Sequence, residues 1–363
     1  MNVFVLAKTY PLPQLSPLSF CLPTKKTLES NTYHDVKGPK AFVDLLITSK
    51  NSNEIKSGFA DLLAKGNYHK LSQHPPLWYR ISSPKHSFSG FLCGLSTTVF
   101  QQAGVTTHEH VLDKRVELFS AYLEHTRLQA EPLLLLHEED YFEVNFSTSI
   151  TQRSPAYAFT INQNTHELWV LTSKEEAALH RFAKSQQQFH LADGHHRLAS
   201  SLKHLDRQGK KYPIQSFVMA KNSIYKESFH WKIKQLLNYE SFIEQLEKFP
   251  QKVKNPDVVV HTKHKTYALA CDPSVNPADF IFHQVLKFSE TSHNDLKTII
   301  DYSPQVDFQT GPLKVEDPYR AIIAFRPLRW NEILSTAKEG KRLPPKSTYL
   351  LPKLPTGLLV SPI

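Results

Sequence analysis

One segment of the sequence limits the possible folds more than any other. In residues 188–209 a short apolar run is followed at once by an Asp-Gly turn and then by a helical pattern. Residues 188–192 have the length of a short strand, and leucines recur at helical spacing after the turn. Gly209 stands where a helix C-cap is expected. The segment predicts a strand–turn–helix unit, and with it a fold that contains both a sheet and helices.

The rest of the chain alternates between strand-like and helical patterns. The expected strands are 76–81, 88–95, 133–136, 156–161, 168–171, 215–220, 258–261 and 266–270. The expected helices are 41–47, 55–63, 110–128 and 173–184. Two of these helices begin at candidate capping boxes, Thr106 with Glu109 and Ser173 with Glu176. We therefore predict the α+β class, with a mixed sheet and helices.

The length of 363 residues suits two domains or one large one. Residues 1–75 are irregular, and we treat them as a shortened N-terminal region. Residues 76–220 form the expected core, and residues 221–363 form a C-terminal α+β region. The prolines after residue 341 predict an extended tail that returns to the core.

The net charge of +9 favours anionic partners such as nucleotides, phosphorylated metabolites or nucleic acid. No run of five or more basic residues is present. Basic residues scattered over a solvated surface therefore explain the charge as well as an anionic partner does. The three cysteines match no zinc or disulfide spacing, which indicates free thiols in a reducing compartment. No apolar run approaches the ~20 residues of a membrane helix. We expect a cytoplasmic protein with no membrane partner.

The turn at residues 193–197, Asp-Gly-His-His-Arg, is the main candidate site. A helix N-terminus offers backbone N–H groups and a partial positive charge to an anion, and Gly194 lets a phosphate approach the backbone. Arg197 supplies a planar fork for two phosphate oxygens, while His195 and His196 supply donors or metal ligands. The alternative is purely structural: Asp193 is a good N-cap, and the other side chains are then surface residues.

At this motif the sequence resembles a known family. Three stretches carry the likeness, namely 191–201, the His-Glu segment 107–110 with 114–115 and 131–134, and the C-terminal motif 344–349 with 352–358. Together they resemble the bacterial family designated domain of unknown function 1015, in the family's order. The likeness covers roughly residues 76–363, and residues 1–75 match it poorly.

The Asp-Gly-His-His-Arg turn is also similar to that of the ParB-like and sulfiredoxin-like superfamily. Its members include chromosome-partition proteins that bind CTP, sulfiredoxin and free-serine kinases. The resemblance implies a ParB/sulfiredoxin-like core in which the strand–turn–helix holds nucleotide phosphates. It leaves the reaction of this chain open.

Two further segments contain candidate site residues. Glu109 is a candidate general base or metal ligand and His108 a candidate catalytic group, although Glu109 could equally complete a capping box. In the tail, Lys346, Ser347 and Thr348 are candidate phosphate ligands, and a structural role for the tail explains them as well. We interpret Lys353 as a structural residue.

These observations favour a nucleotide-dependent enzyme, kinase-like, that acts on a small-molecule acceptor. In this interpretation Gly194, His196 and Arg197 hold phosphates, and Asp193 or His195 helps to place a divalent ion such as Mg²⁺. Glu109 would activate the acceptor hydroxyl.

Two other functions stay open. One is a nucleotide-binding switch or nucleic-acid-associated protein without turnover, although no helix-turn-helix or basic–aromatic cluster supports it. The other is a structural protein in which the motif only caps a helix. We further expect His108 and Glu109 to share a site with the 193–197 turn, and residues 346–353 to complete that site.

Overall fold

The structure is a computed structural model. It describes residues 15–16, 21–23, 40–71, 76–101, 104–138, 146–161, 163–186, 188–209, 211–234, 236, 238–250, 253–272, 275–288, 296–304, 308, 311–339, 341–344 and 347–363. The chain divides into two compact units. The first consists of the residues up to 106, 116–224 and 352–363, and the second of 107–115 and 225–351.

The described residues form short strands and mostly short helices. The strands are β1 (Leu15–Ser16), β2 (Cys21–Pro23), β3 (Tyr68–Lys70), β4 (Leu77–Ser82), β5 (Ser87–Leu95), β6 (Val105–Thr106), β7 (Leu128–Gln129), β8 (Leu133–His137), β9 (Tyr157–Ile161), β10 (Asn164–Val170), β11 (Phe189–Asp193), β12 (Ile214–Ala220), β13 (Tyr225–Lys226), β14 (Phe229–Ile233), β15 (Val258–Thr262), β16 (Thr266–Leu269), β17 (Ile300–Pro304), β18 (Ala321–Phe325), β19 (Leu350–Leu351) and β20 (Ser361–Pro362).

The longer helices are α1 (Lys40–Thr48), α2 (Ser52–Ala64), α3 (Asp113–Thr126), α4 (Ser173–Ser185), α5 (His195–Gln208), α6 (Tyr239–Glu247) and α7 (Trp330–Lys338). Shorter helical segments lie at Thr97–Gln101, Lys221–Ser223, Pro277–Phe280, Ile281–Val285 and Leu296–Ile299. No helix among the described residues is long and apolar enough to cross a bilayer.

The first unit is built on a nine-stranded mixed sheet in the order β6-β11-β8-β12-β5-β4-β10-β9, with β1 paired to β5. Strand β8 runs parallel to β12 and antiparallel to β11. Every residue of β8 and β12 is buried, as their continuous apolar runs predict for strands covered on both faces. The mixed sheet and the α+β class are therefore confirmed.

Helix α5 packs on this sheet through one apolar stripe. Leu198 belongs to the same buried cluster as Leu133 of β8, Leu191 of β11 and Ile214 of β12. Gly209 ends the helix in the left-handed conformation (φ 66°), and its N–H donates to the Leu205 carbonyl. The predicted strand–turn–helix unit and its C-cap are confirmed.

The start of α4 differs by one residue from the prediction. The capping box is formed by Thr172 and Glu175, and the Thr172 N–H donates to Glu175 Oε2 at 2.7 Å. Thr172 and Ser173 are adjacent hydroxyl residues, and Glu175 and Glu176 adjacent carboxylates, so the local pattern permits either pair.

The other predicted capping box, Thr106 with Glu109, is wrong. Helix α3 begins at Asp113, three residues later than the pattern predicts. Thr106 is the last residue of β6, and Glu109 forms an isolated parallel bridge with Leu343. The pairing of Glu109 with a residue far along the chain overrides the local helix signal.

The second unit contains a five-stranded antiparallel sheet in the order β16-β15-β18-β14-β17. The predicted hairpin of 258–261 and 266–270 is present as β15 and β16. Alternate residues of β14 face the main core of the unit: Phe229, Trp231 and Ile233 pack against side chains from β15 and β18. This period of two is the pattern of a sheet with two different faces.

Candidate functional site

Helix α5 begins at a glycine N-cap, which has no side chain to bond the first turn. Strand β11 ends at Asp193, Gly194 has a left-handed backbone (φ 101°, ψ 24°), and the helix begins at His195. Gly194 is the N-cap, and no side chain bonds to the helix N-terminus from that position. The interpretation of Asp193 as a simple N-cap is therefore wrong, because its carboxylate is used elsewhere.

Both the backbone conformation and the close neighbours at position 194 require a glycine. A Cβ atom at this position would lie 2.7 Å from Leu133 Cδ2 and 3.1 Å from Arg197 Nε. The left-handed backbone is also one that residues with a Cβ rarely adopt. The glycine lets the guanidinium of Arg197 lie directly over the turn.

Two cations and two carboxylates meet at this turn. Arg197 Nη2 lies 2.9 Å from Asp193 Oδ2, and Arg197 Nη1 lies 2.8 Å from Glu131 Oε2. Lys353 Nζ lies 3.1 Å from Asp193 Oδ1. The Thr356 hydroxyl donates to Glu131 Oε1. Asp193, Arg197, Glu131 and Lys353 together carry no net charge.

The electrostatics of the cluster keep Asp193 ionised. Burial of the carboxyl raises its pKa, but the charges of Lys353 and Arg197 and the hydrogen bond from Lys353 outweigh that effect. The pKa of Asp193 is therefore held well below its usual range. The four side chains keep between 22% and 38% of their exposure, so a ligand from solvent can reach them.

The two histidines of the motif occupy the first turn of α5. His195 is buried and His196 is half-buried. For a divalent ion the two predicted ligands differ in chemistry. The Asp193 carboxylate suits Mg²⁺, which prefers oxygen, whereas the His195 imidazole suits transition metals. Both oxygens of Asp193 are bonded to cationic side chains, and a divalent ion at this turn stays a prediction.

The remaining predicted residues belong to the second unit. His108 and Glu109 lie on a segment whose backbone bonds to Leu343: Leu343 N–H donates to the His108 carbonyl at 2.7 Å. The Thr348 hydroxyl donates to Glu109 Oε2 at 3.4 Å. Ser347 is fully buried, and its Oγ makes no hydrogen bond with the residues that the structure describes.

Lys346 lies outside the described residues. A shared site of His108 and Glu109 with the 193–197 turn stays a prediction.

Sequence reasoning missed three members of the cluster at the turn. It assigned Lys353 a structural role, and it noted Glu131 and Thr356 only as parts of matched stretches. The available signal was the segment from Pro352 to Thr356, in which two prolines fix the backbone around a lysine and a threonine. That segment belongs to the same unit as the turn.

A family model described as "Protein of unknown function (DUF1015)" matches residues 34–294. The chain belongs to this family. The DUF1015 match contains the His-Glu segment and the Asp-Gly-His-His-Arg turn, and it begins well before residue 76. It ends before the C-terminal motif that supplies Lys353 and Thr356.

Solved structures share a weak overall likeness with the chain. "SbnI with C-terminal truncation from Staphylococcus aureus" has a TM-score of 0.40 and 12% identity, and the match covers 68% of this chain and 79% of that chain. "Free serine kinase in complex with AMP" has a TM-score of 0.40 and 14% identity, with 70% and 86% covered. A conserved hypothetical protein from Pyrococcus furiosus has a TM-score of 0.36 and 14% identity, with 71% and 91% covered. Comparison with curated proteins finds no match.

Proposed function

We propose that the turn at residues 193–197, together with Lys353, binds the phosphates of a nucleotide, and that the protein is a nucleotide-dependent phosphotransferase acting on a small molecule. The observation that carries this proposal is the convergence of Arg197 and Lys353 on one carboxylate at the N-terminus of a helix whose N-cap residue is a glycine. An anion at this place gains backbone donors, the helix dipole and two cations at once.

The charge balance indicates how the phosphates would be accommodated. Without a ligand, Asp193 takes up part of the hydrogen-bonding capacity of Arg197 and Lys353. A phosphate that arrives alone must compete with that carboxylate for both cations. Asp193 would hold Mg²⁺, and the bound ion would supply charge neutralisation for the phosphates. Arg197 and Lys353 would then turn from the carboxylate to phosphate oxygens.

This balance makes a specific prediction about Asp193. Replacing Asp193 with Asn removes the competing charge and the Mg²⁺ ligand together. We expect Asp193→Asn to bind a nucleotide without Mg²⁺ more tightly than the wild type does, and to lose most of the effect of added Mg²⁺. Calorimetric titrations with and without MgCl₂ measure both quantities. Equal Mg²⁺ dependence in the two proteins would exclude Asp193 as the ligand.

The acceptor side of the reaction rests on the resemblance and stays a prediction. Glu109 is the residue expected to accept the proton of the acceptor hydroxyl, with His108 beside it in sequence. Glu109→Gln should then abolish turnover and leave the affinity for nucleotide unchanged. A variant that still turns over substrate at the wild-type rate would remove Glu109 from the mechanism.

The primary experiment is a titration of AMP, ADP, ATP and CTP into wild type, Arg197→Ala and Lys353→Ala. Arg197→Ala should weaken binding by roughly 1.5–3 kcal/mol, the value of a charge-assisted hydrogen bond. Arg207→Ala is the matched control. It removes an arginine from the same helix, where Arg207 Nη2 pairs with Glu117 Oε2 at 3.1 Å.

The outcomes separate the candidate functions. A loss of affinity in Arg197→Ala but not in Arg207→Ala supports the phosphate site. Binding without turnover of any small hydroxyl compound favours the nucleotide-binding switch. Equal affinity in all the proteins, or no binding of any nucleotide, rejects the phosphate site and leaves the motif as a structural turn.

A further inference from the structure

Strand β9 (Tyr157–Ile161) forms one edge of the nine-stranded sheet of the first unit. It pairs antiparallel with β10, and the described residues place no strand on its other side. Ile161 and Asn164 face each other across a two-residue turn, and such a turn is closed by a pair that exchanges both backbone hydrogen bonds. Hydrogen-bonded and non-hydrogen-bonded pairs then alternate along the hairpin. The backbone N–H and C=O groups of Ala158 and Thr160 therefore point away from β10.

These outward backbone groups have no partner among the described residues. The backbones of Ala158 and Thr160 take part in no hydrogen bond there, and both residues are exposed. A row of free N–H and C=O groups at a sheet edge is a template on which a further strand can add. The edge therefore offers two donors and two acceptors to a partner strand.

The other edges of the two larger sheets are protected, and β9 is not. Edge strands usually avoid pairing by being very short or by carrying charges or prolines. Strand β6 has only two residues, and β17 contains Asp301 and Pro304. Strand β16 follows directly after Lys265, whose Nζ lies 4.6 Å from the ring centroid of Tyr267. By contrast β9 has five residues, and residues 154–165 include no Asp, Glu, Lys or Arg.

The side chains of β9 hold the strand in place. The hydroxyl of Tyr157 and Nε2 of His69 share a hydrogen bond of 2.8 Å. The ring of Phe159 lies nearly parallel to that of His166, with centroids 5.2 Å apart. A strand that is already ordered loses little conformational entropy when a partner pairs with it. The outward groups of β9 are therefore preorganised for binding.

The strand is complementary to a second copy of itself. In an antiparallel pair centred on Phe159, Ala158 lies opposite Thr160 of the second copy, and this pair occurs twice by symmetry. Both residues of each pair present outward backbone groups, so the two pairs form four hydrogen bonds. On the other face Phe159 meets its own equivalent and Tyr157 meets Ile161, and such cross-strand apolar pairs stabilise a sheet. No charged residues are brought together.

We propose that the protein forms a two-fold symmetric dimer in solution through antiparallel pairing of β9 with β9 of a second copy, in the register centred on Phe159. Each chain has one β9, and the partner occupies its free edge completely, so the assembly closes at two chains. The proposal does not depend on the proposed function, because the 193–197 turn follows β11, which lies next to the opposite edge strand β6.

The test is the oligomeric state of the full chain, measured by sedimentation equilibrium at protein concentrations from about 1 to 500 µM. We expect the mass to rise from that of the monomer, 41.6 kDa, to twice that value and to rise no further.

Two double variants test the register. Ala158→Lys with Thr160→Lys puts lysine opposite lysine in both pairs, whereas Ala158→Lys with Thr160→Glu puts lysine opposite glutamate. The first should dimerise roughly tenfold more weakly than the second, because like charges directly opposite each other destabilise a strand pair. Salt at roughly 0.5 M should reduce the difference by screening these exposed charges. Ser57→Lys with Ala60→Lys is the matched control: it adds two charges at exposed positions of α2 and should dimerise as the wild type does.

Thr160→Pro tests the backbone bonds without a change of charge. The Thr160 N–H does not bond to β10, and proline is tolerated at an edge where the N–H faces away from the sheet. In the dimer the variant removes two of the four backbone bonds, so association should weaken by roughly tenfold or more. Circular dichroism melting checks that each variant is folded. The charge variants and the proline variant test the same pairing independently, so one of them suffices if another does not fold.

The proposal is supported if the wild type dimerises, the variant with two lysines and Thr160→Pro dimerise weakly, and the variant with lysine and glutamate retains the dimer. A chain that stays monomeric at the highest concentration overturns it, as does an assembly larger than a dimer. A dimer that all folded variants retain lies on another surface and also overturns the proposal. Loss of the dimer in both charge variants contradicts the register centred on Phe159. Nucleotide titrations of the same proteins report on the phosphate site separately.

Discussion

Each unit contains an arginine held by two carboxylates, and the two clusters differ in burial. In the second unit, Arg326 Nε lies 2.6 Å from Asp257, and both its terminal nitrogens bond to Glu332 at 2.6 and 3.0 Å. These three side chains are only 11–19% exposed. In the first unit, Arg197 also meets two carboxylates, but with 22–36% exposure.

The difference in burial predicts different roles for the two arginines. Arg326 is mostly buried and makes four hydrogen bonds, to Asp257, Glu332 and the Pro327 carbonyl, and removing it leaves buried charges. On the proposed function, the more exposed fork of Arg197 exchanges a carboxylate for a phosphate oxygen. We therefore expect Arg326 to matter for stability and Arg197 for binding.

The largest effect is expected for Arg326→Ala. It leaves Asp257 and Glu332 without a counter-charge, which should lower the free energy of unfolding by about 3–5 kcal/mol. Urea denaturation measures the change. Arg329→Ala is the control: Arg329 is 71% exposed and 3.9 Å from the same Glu332, so its loss should cost less than about 1 kcal/mol. Equal losses in the two variants would contradict the comparison.

The second prediction concerns the loss of folding stability at low pH that is caused by one buried histidine in each unit. Burial lowers the pKa of His166 in the first unit, and burial with help from His261 and Lys232 lowers that of His230 in the second, each to about 4. An unfolded histidine binds its proton near 6.5, so the stability present above that pH is lost as the pH falls toward 4. Each group contributes up to about 3 kcal/mol over this window.

Urea denaturation between pH 7 and 4.5 checks this expectation. His166→Gln and His230→Gln should each make the pH dependence shallower by up to one proton. A dependence that is unchanged in both variants would mean that neither histidine is buried in its neutral form.

The third prediction compares the glycines at the two ends of α5. It separates the effect of backbone conformation on stability from the effect of side-chain packing. Gly194 and Gly209 both have positive φ, of 101° and 66°. A Cβ at Gly209 would meet nothing within 4 Å, whereas one at Gly194 would clash with Leu133. Gly194→Ala should therefore destabilise by about 1–3 kcal/mol more than Gly209→Ala does, the cost of overpacking. Thermal melting compares the two variants; equal losses would mean that Leu133 moves aside freely.

The smallest effect on stability is expected for Arg197→Ala. A partly exposed ion pair contributes up to about 1 kcal/mol, so the unfolding free energy should change little while nucleotide affinity falls. Denaturation and calorimetry on the same sample give both values. A stability loss as large as that of Arg326→Ala would show that both ion-pair clusters contribute equally to the free energy of unfolding.

Local patterns were enough to predict most of the longer strands and helices of the first unit, but only one hairpin of the second. The strand, turn and helix from Phe189 to Gln208 were predicted because each is encoded by neighbouring residues. The start of α4 was misplaced by one residue because Thr172 and Ser173 are both good caps. The start of α3 was wrong because the bridge of Glu109 to Leu343 is a long-range pairing that no local pattern contains.

The site was only half predictable for the same reason. Asp193 and Arg197 are four residues apart, so one helix turn brings them together. Glu131 is 66 residues from Arg197, and Lys353 is 160 residues from Asp193. Which of the 43 basic residues completes the cluster depends on the tertiary fold, and a single sequence does not encode that choice locally.

The position of Lys353 has a consequence for synthesis on the ribosome. A nascent chain that ends before residue 353 contains Asp193, Glu131 and Arg197, a set with a net negative charge. Such a cluster repels a phosphate, and it becomes electrically neutral only when the lysine joins it. On the proposed function, the growing chain would therefore acquire its complete phosphate site only after nearly all of the first unit has been made.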